Sequence, residues 1–176
     1  MNPYGVMDML NNLSKILLFC LAYLPLIDAI ILKSYYSLYP AMGLVIFSVT
    51  IIFLVYVLIR SIKKVVPSEE NINIIELKNS EFLTFIVTYL VPFFGFDLDV
   101  PTIISSIIIF LIIGYIYVDT SLFCVNPLLK LIFGYNLYEV MINANKSYLL
   151  SKSKLAHGEH SLKLNGLGES IYIEVD

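Results

Sequence analysis

The chain has 176 residues, of which 59% are apolar and only 14% are charged, and its formal net charge is −3. A soluble domain is roughly half apolar and about a quarter charged, so this composition excludes an ordinary soluble domain and predicts a protein whose main solvent is lipid. The acidic balance leaves no overall basic surface, which argues against direct binding of nucleic acid.

Two apolar runs predict the first two membrane spans, at residues 16–32 and 42–59. As a helix, each run covers about 25 Å, which suffices for a slightly thinned bilayer. The second run ends at a basic cluster of Arg60, Lys63 and Lys64. The positive-inside rule places this cluster, and with it the N-terminus, in the cytoplasm. Because no basic region precedes the first run, we expect no cleaved signal peptide.

The third and fourth spans are predicted at residues 80–97 and 102–118, and the chain is organised around the third. A compact acidic turn with Asp97 and Asp99 separates them on the outer side, so the two spans would form a helical hairpin. The uncharged part of the third span covers only about 22 Å, so a re-entrant segment is the alternative to a full crossing.

After the fourth span the long apolar runs end. Residues 122–133 are interrupted by Asn126, Pro127 and Lys130, which predicts a juxtamembrane helix lying in the interface and not a fifth span.

The remaining residues have strand-like patterns. Residues 135–152 predict a β-hairpin with a turn at 144–146, and residues 162–175 predict a second hairpin with a turn at 165–168. Residues 71–74 alternate polar and apolar side chains, and residues 72–77 could add a strand to the same sheet.

Together these elements predict an α-helical polytopic membrane protein with four transmembrane helices and a small cytoplasmic β-rich module. Residues 1–134 would hold the spans and the juxtamembrane helix, and residues 135–176 would form the β-rich tail. The loop between spans 2 and 3 is a potential further part of the module. We expect a multi-pass protein with both termini in the cytoplasm.

The polar residues offer few candidates for chemistry. Asp28, inside the first span, is a candidate intramembrane site for a proton, an ion or a partner helix; alternatively, Pro25 and a tilt raise it to the headgroups. The segment from His157 to His160 could suggest metal ligands, but Gly158 between them favours a solvated loop. Catalytic motifs are missing, so we expect no enzyme, no cofactor and no metal.

The two cysteines, Cys20 and Cys124, lie in or beside apolar runs and are expected to be free thiols. Small side chains in the spans are expected to let helices of several copies approach closely. These residues are Ser48, Thr50, Ser105, Ser106 and Gly114.

Two stretches, residues 76–98 and 126–140, resemble the small four-span membrane subunit of the Kiwa anti-phage defence system. The resemblance implies a sensor in the bacterial inner membrane that oligomerises and works through a separate cytosolic subunit with DNA-related action. It implies no catalytic residues in this chain.

Three functions follow as hypotheses. The first is a membrane-embedded sensor or scaffold whose partners are the lipid bilayer, further copies of itself and a cytosolic effector protein. The effector would dock at an exposed strand edge ending near Val175. The candidate docking residues are Tyr138, Tyr148, Ile171, Ile173 and Val175. The second hypothesis is a small pore or transporter in which Asp28 and kinks at Pro25 and Pro92 line a path. The third is an immunity protein against a membrane toxin.

Overall fold

The computed structural model describes residues 12–34, 38–90, 100–119, 124–168 and 170–175. The described part starts with two long helices, α1 at Asn12–Ser34 and α2 at Leu38–Lys63, which pack against each other. Nearly unbroken apolar side chains favour helix in both. α1 continues through Pro25, although a proline removes one backbone hydrogen bond.

The prediction of a four-span α-helical membrane protein is wrong. Within the described residues, two helical stretches are long and apolar enough to cross a membrane, Asn12–Ala29 and Met42–Lys63. The core helix of a soluble protein can have the same length and composition, and 39% of the first stretch is buried, against 11% of the second.

Neither of the two later predicted spans is among these stretches. α3, at Ser80–Phe85, has six residues and continues as a π-helical turn at Ile86–Leu90. α4 spans Val100–Asp119, and the apolar stretch found in it is Ile107–Tyr117. Over its described residues, 80–90, the earlier helix covers about 16 Å, whereas a hydrocarbon core is about 30 Å thick.

The segment after α2 and the C-terminal part of the chain form a closed five-stranded barrel. The short helix α5, at Pro127–Leu131, leads into its second strand. The strands are β1 at Ser68–Leu77, β2 at Asn136–Ile142, β3 at Asn145–Ser151, β4 at Gly158–Gly168 and β5 at Ile171–Glu174.

The order around the barrel is β1-β2-β3-β5-β4, and every neighbouring pair is antiparallel except β3 and β5. This is the strand order of an OB-type barrel, a five-stranded Greek-key fold. Helices α3, α4 and α5 are inserted between β1 and β2. The sheet predicted from the tail is therefore a barrel that also needs β1, which lies before the later helices.

The β2–β3 hairpin is present where the pattern predicted it, but its turn comes earlier. Ile142 pairs with Asn145, and the two residues between them, Asn143 and Ala144, have φ of 50° and 65°. Positive φ at both central positions is the backbone of a type I′ turn, whose twist matches that of the two strands.

The second predicted turn, at residues 165–168, is wrong. These residues belong to β4, and β4 and β5 meet beyond Gly168 after a bulge between Gly166 and Gly168. An Asn-Gly pair is a strong hairpin signal, but here the Asn165 side chain is bonded to α2 and the strand runs on.

Buried apolar side chains form two clusters. The first joins α1, α2, α3, α4 and α5 to one end of the barrel, where Leu137, Leu150 and Ile173 lie. The second lies inside the barrel and includes Ile72, Val140 and Leu149. Because the first cluster contains both helix and barrel residues, the two parts share one core.

Three further sequence predictions concern α5, the acidic turn and the kink at Pro92. The helix expected to lie in a membrane interface is α5, and its Leu128 and Leu129 are buried in the first cluster. The predicted outer turn with Asp97 and Asp99, and the kink at Pro92, lie outside the described residues.

Candidate functional site at the helix–barrel junction

Asn126 fastens α1 to the segment that leads into the barrel. It precedes Pro127 and is the N-cap of α5, where its side-chain oxygen accepts a hydrogen bond from the Leu128 backbone N–H at 3.1 Å. Its side-chain nitrogen donates to the Leu18 carbonyl in α1 at 2.9 Å. Asn126 is fully buried, so both bonds form in an apolar environment where an unpaired amide would be costly.

Asn165 makes the matching connection from the barrel to α2. Its side-chain nitrogen donates to the carbonyls of Ile62 at 2.8 Å and of Val65 at 3.2 Å. The last carbonyls of a helix have no partner within the helix, so a side chain from β4 here caps the end of α2. Asn165 is 2% exposed.

Asn79 provides a third connection, between the start of α3 and the start of β2. Its side-chain nitrogen donates to the Asn136 side-chain oxygen at 3.0 Å, and its side-chain oxygen accepts from the Leu137 backbone N–H at 3.1 Å. The neighbouring Lys78 N–H donates to the Leu137 carbonyl at 2.8 Å. We call Asn79, Asn126 and Asn165 the junction asparagines.

Aromatic rings of α1, α3 and α4 pack these three helices against one another. Phe19 and Tyr23 of α1 contact Phe110 of α4, with ring centroids 4.9 and 5.2 Å apart. Tyr23 also meets Phe85 of α3 edge-on at 5.6 Å. Such tilted and edge-on pairs are favourable beyond the area they bury, so they fix the relative positions of three helices.

Gly114 lets α4 approach this aromatic group. A Cβ atom at this glycine would lie 3.1 Å from the Phe19 ring, closer than ordinary van der Waals contact. The sequence predicts Gly114 in contacts between copies, whereas the structure shows it in a contact within the chain.

Basic side chains surround the outside of the junction. The ammonium groups of Lys63 and Lys152 lie 5.8 and 5.2 Å from the centre of the Tyr135 ring, and that of Lys130 lies 5.9 Å from the Phe82 ring. These distances are in the range of cation–π attraction. The two rings are almost fully buried, so they hold the lysine ends at the rim of the shared core.

A small apolar cavity of about 20 Å³ lies between α1, α2 and the barrel, lined by Leu18, Ile62 and Ile173 among others. It has room for about one water molecule, and a water needs two to four polar partners. An apolar lining offers almost none, so we expect the cavity to be dry.

Asp28 is partly buried and lies against α2. The Ser48 hydroxyl is 3.1 Å from one oxygen of the Asp28 carboxyl group and 3.0 Å from the other. The hydroxyl of Thr50 donates instead to the carbonyl of Ile46 in its own helix. Ser48 therefore connects α2 to α1, and Asp28 has a partner inside the helix pair.

Three of the predicted docking residues are buried. Ile171 and Ile173 are 0% and 2% exposed, and β5 is bonded to β3 on one side and to β4 on the other. The prediction of a free strand edge near Val175 is thus wrong. Tyr138 is also buried, and its hydroxyl donates to the Ser153 carbonyl and accepts from the Leu155 N–H.

Tyr148 is the docking candidate that lies exposed, on the outer side of β3. It is opposite Glu139 on β2, and Met141 on the same strand is 39% exposed. Lys146 and Lys78 lie 2.8 and 3.4 Å from the Glu139 carboxylate. The hydrogen bond from Lys146, with that from Lys78, lowers the pKa of Glu139. We call Glu139, Met141, Lys146 and Tyr148 the β2–β3 face.

The cysteine and histidine side chains have surroundings that suit structural roles. Both cysteines are free thiols, as predicted. Burial raises the pKa of the Cys124 thiol to about 12, which keeps it protonated at neutral pH. His160 lies 3.0 Å from the Ala156 carbonyl. Across the part of the chain that the structure describes, no group of three or more potential ligands is placed to hold a metal ion.

The junction asparagines were the main omission from the sequence-based prediction. Asn126 followed by Pro127 is a recognisable helix start, but it was interpreted as an interruption. Asn165 bonds to residues about 100 positions earlier, and no local pattern could have indicated that contact.

Comparison with known proteins identifies the family. The family model described as anti-phage protein KwaA matches residues 14–173. The chain is 43% identical to the Kiwa protein KwaA of Escherichia coli O55:H7 over an aligned segment of 63 residues. This segment covers 35% of this chain and 32% of that relative. The aligned segment therefore spans about a third of the curated relative. No solved structure matches the chain. Because the family model covers nearly its whole length, the chain belongs to the KwaA family of anti-phage proteins.

Proposed function

We propose that this chain is a membrane-anchored subunit of a bacterial anti-phage defence complex, and that it docks a cytosolic effector on its barrel and transmits a change at the membrane to that effector. The observation that carries the proposal is the junction, where the buried Asn165 bonds the barrel to α2 and the buried Asn126 bonds α1 to the segment that leads into the barrel. The family supplies the anti-phage role.

The anchor is argued from the surface of α2. Val45, Ile46 and Phe53 are 63%, 65% and 60% exposed, and they belong to a stretch of which only 11% is buried. A continuous apolar surface of this kind needs a cover of lipid or of another apolar surface. Lipid around α2, with Arg60 and Lys63 at its cytoplasmic end, is the arrangement that we propose.

Self-association follows from the same surfaces. On α4, Leu111 and Tyr115 are 65% and 75% exposed, so a second helix side also lacks a cover within the chain. We propose that copies pack through the exposed sides of α2 and α4 and so form a homo-oligomer.

The effector would dock on the β2–β3 face. In OB-fold barrels the face of strands 2 and 3 is a binding surface, which takes oligonucleotides and oligosaccharides. In this chain that surface has one exposed ring, Tyr148, an exposed Met141 and a Glu139 flanked by lysines. A nearly neutral face with an aromatic and a methionine side chain suits a protein partner better than a phosphate backbone.

The junction asparagines would carry the coupling. A shift of α2 moves a carbonyl that is bonded to Asn165 of the barrel, so α2 and the barrel have to move together or break a buried hydrogen bond. A shift of α1 acts in the same way on Asn126, at the start of the helix that leads into the barrel. Such a connection suits a sensor, whereas a simple pore would not require it.

The first experiment tests docking. The full chain, tagged, is co-expressed with the protein encoded beside it, and the two are co-purified in mild detergent. Tyr148→Ala should reduce the recovered partner at least tenfold, because it removes the central ring of the face. Lys163→Ala, on β4 at the far side of the barrel, is the matched control and should retain it. Equal recovery with both variants would remove the β2–β3 face from the proposal.

The second experiment tests the anchor. Release of the full chain from membranes by alkaline carbonate would refute the anchor.

The third experiment tests the coupling. In a phage plating assay, Asn165→Ala should lose protection while the protein remains in the membrane and still binds its partner. Asn145→Ala, at the exposed hairpin, should protect like the parent. Full protection by Asn165→Ala would refute the coupling.

A further inference from the structure

We infer that the first half of β1 binds an extended, basic segment of the effector, which adds to the barrel as a further strand. The inference rests on the proposed docking of an effector and gives that effector a second contact beside the β2–β3 face. The site consists of Ser68, Glu69, Glu70 and Asn71, and we call these residues the open half of β1.

The strand pairing leaves one side of the open half without a neighbour. β4 pairs with residues 68–74 of β1, whereas β2 pairs with residues 72–77. The barrel therefore closes through the middle of β1, where both neighbours are present. Among the backbone hydrogen bonds of the described residues, none is made on the β2 side of the open half. Every second residue there turns its N–H and C=O groups to that side, which is the arrangement to which an added strand binds.

The missing neighbour leaves space for a strand. The β2–β3 hairpin turns back at Asn143 and Ala144, directly after Ile142 pairs with Ile72. Beside this turn lies a cleft of about 580 Å³, a volume within the range of ligand-binding sites in proteins. β1, β2, β4 and the turn form its walls, with Asn71, Asn73, Met141, Ala144, Glu159 and Ser161 among the lining residues. Met141 belongs to the β2–β3 face, so the cleft connects that face to the open half.

The side chains of the open half favour a basic strand. Along β1 exposed and buried residues alternate, with Asn71 exposed and Ile72 buried. This alternation places Glu69 on the outer face and Glu70 on the inner face, so an added strand meets a carboxylate on each of its faces. Lys163 of β4 lies opposite Glu69, but on the side of β1 away from the open edge. Because opposite charges on neighbouring strands are favourable, lysine or arginine fits both positions.

The same carboxylates disfavour other occupants of an open strand edge. Two copies of this chain that paired through their open halves would bring their glutamates next to each other, and like charges on neighbouring strands are destabilising. A nucleic acid would bring phosphates to the same carboxylates, and none of the described residues that line the cleft is a lysine or an arginine. An extended peptide avoids both conflicts. It gains main-chain hydrogen bonds from the edge and ion pairs from its own basic side chains.

The test uses overlapping synthetic peptides that cover the protein encoded beside this chain. Their binding to the full chain, purified in mild detergent, is measured by fluorescence anisotropy. One basic peptide should bind. Two derivatives of it then carry N-methyl groups on one or the other set of alternate residues. Only one set faces β1, so one derivative should bind about tenfold more weakly and the other like the unmodified peptide. Binding by no peptide, or equal binding by both derivatives, would overturn the proposal.

Variants of the chain test the charge. Glu69→Gln with Glu70→Gln should bind the basic peptide about fivefold more weakly, because both cross-strand ion pairs are lost. The matched control is Glu76→Gln with Glu81→Gln, which removes the same charge from the other end of β1 and from α3. It should bind like the parent, and an equal loss in both double variants would refute a local site.

Amide hydrogen exchange of the full chain locates the contact. Residues 68–71 should exchange more slowly when the peptide is bound. If these residues of the chain alone become protected as its concentration rises, then a second copy occupies the edge and the proposal is wrong. Tyr148→Ala should bind the peptide like the parent, because Tyr148 lies on β3 and not beside the open half. Loss of the peptide in this variant would assign the peptide to the β2–β3 face, so failure of this site is distinguishable from failure of that face.

Discussion

The α2 helix and the β-barrel are both rich in Val, Ile and Leu, yet they place these side chains in opposite ways. Val140 and Leu149 in the barrel are fully buried, whereas Val45 and Ile46 in α2 are more than 60% exposed. The barrel strands alternate inward and outward residues and so cover their own apolar face. α2 is apolar on all sides, and only one of these sides packs against the rest of the chain. The barrel supplies its own core, whereas α2 depends on what surrounds it.

The largest expected effect compares a leucine inside the barrel with an exposed leucine on a helix. Leu149→Ala, in the barrel, should lower the free energy of unfolding by about 3 kcal/mol, because it leaves a cavity in a closed core. For a chain of this size that loss lowers the midpoint of thermal unfolding by about 6–12 °C. The measurement is a thermal unfolding curve of the full chain in detergent.

Leu131→Ala on α5 is the matched control. Leu131 is 80% exposed, so its truncation should change the unfolding free energy by less than about 1 kcal/mol. If Leu131→Ala costs as much as Leu149→Ala, then exposure in the single chain does not decide the cost of losing a leucine, and the contrast between barrel and helices fails.

How much of this architecture the sequence predicts depends on how local each contact is. The β2–β3 hairpin could be predicted because its pairing joins residues that are close in the chain, such as Ile142 and Asn145. Closure of the barrel could not, because β1 pairs with β4 across almost 100 positions, as between Ser68 and Leu164. Alternating polarity marks each strand but does not specify its distant partner.

The site was predicted less well than the strands for the same reason. Tyr148 was selected as a docking residue and is exposed, but Ile171 and Ile173 were selected with it and are buried. An isoleucine in a strand looks the same in sequence whether its strand is at an edge or is bonded on both sides. The roles of Asn126 and Asn165 depend on helix carbonyls that the fold brings to them.

A smaller effect tests the contact between α1 and α2. Ser48→Ala removes the hydroxyl that bonds to Asp28 and should lower the unfolding free energy by about 1 kcal/mol. Thr50→Ser is the control, because it keeps the hydroxyl that bonds within α2 and removes only an exposed methyl group. Unfolding curves of both variants are compared with that of the parent. A Ser48→Ala protein as stable as the parent would mean that water or another group satisfies Asp28, which would restore it as a candidate functional site.

The smallest effect concerns Cys124, which is buried in the core that helices and barrel share. Burial raises its pKa from 9.0 to about 12 in the folded chain, whereas the unfolded chain should keep the ordinary value. Below pH 9 the thiol is protonated in both states and contributes nothing to the pH dependence. Between pH 9 and 12 the folded chain holds a proton that the unfolded chain has lost, so stability falls as pH rises.

At pH 9.5 this difference should cost the parent about 0.8 kcal/mol relative to pH 8. Cys124→Ala lacks the thiol, so its stability should fall less over the same interval, although its stability at pH 8 is lower because of lost packing. Denaturant unfolding of both proteins at pH 8 and 9.5 measures the difference, and all other titrating groups are common to the two. Parallel losses in parent and variant would mean that Cys124 is reached by solvent, and the shared core would then be open at the junction.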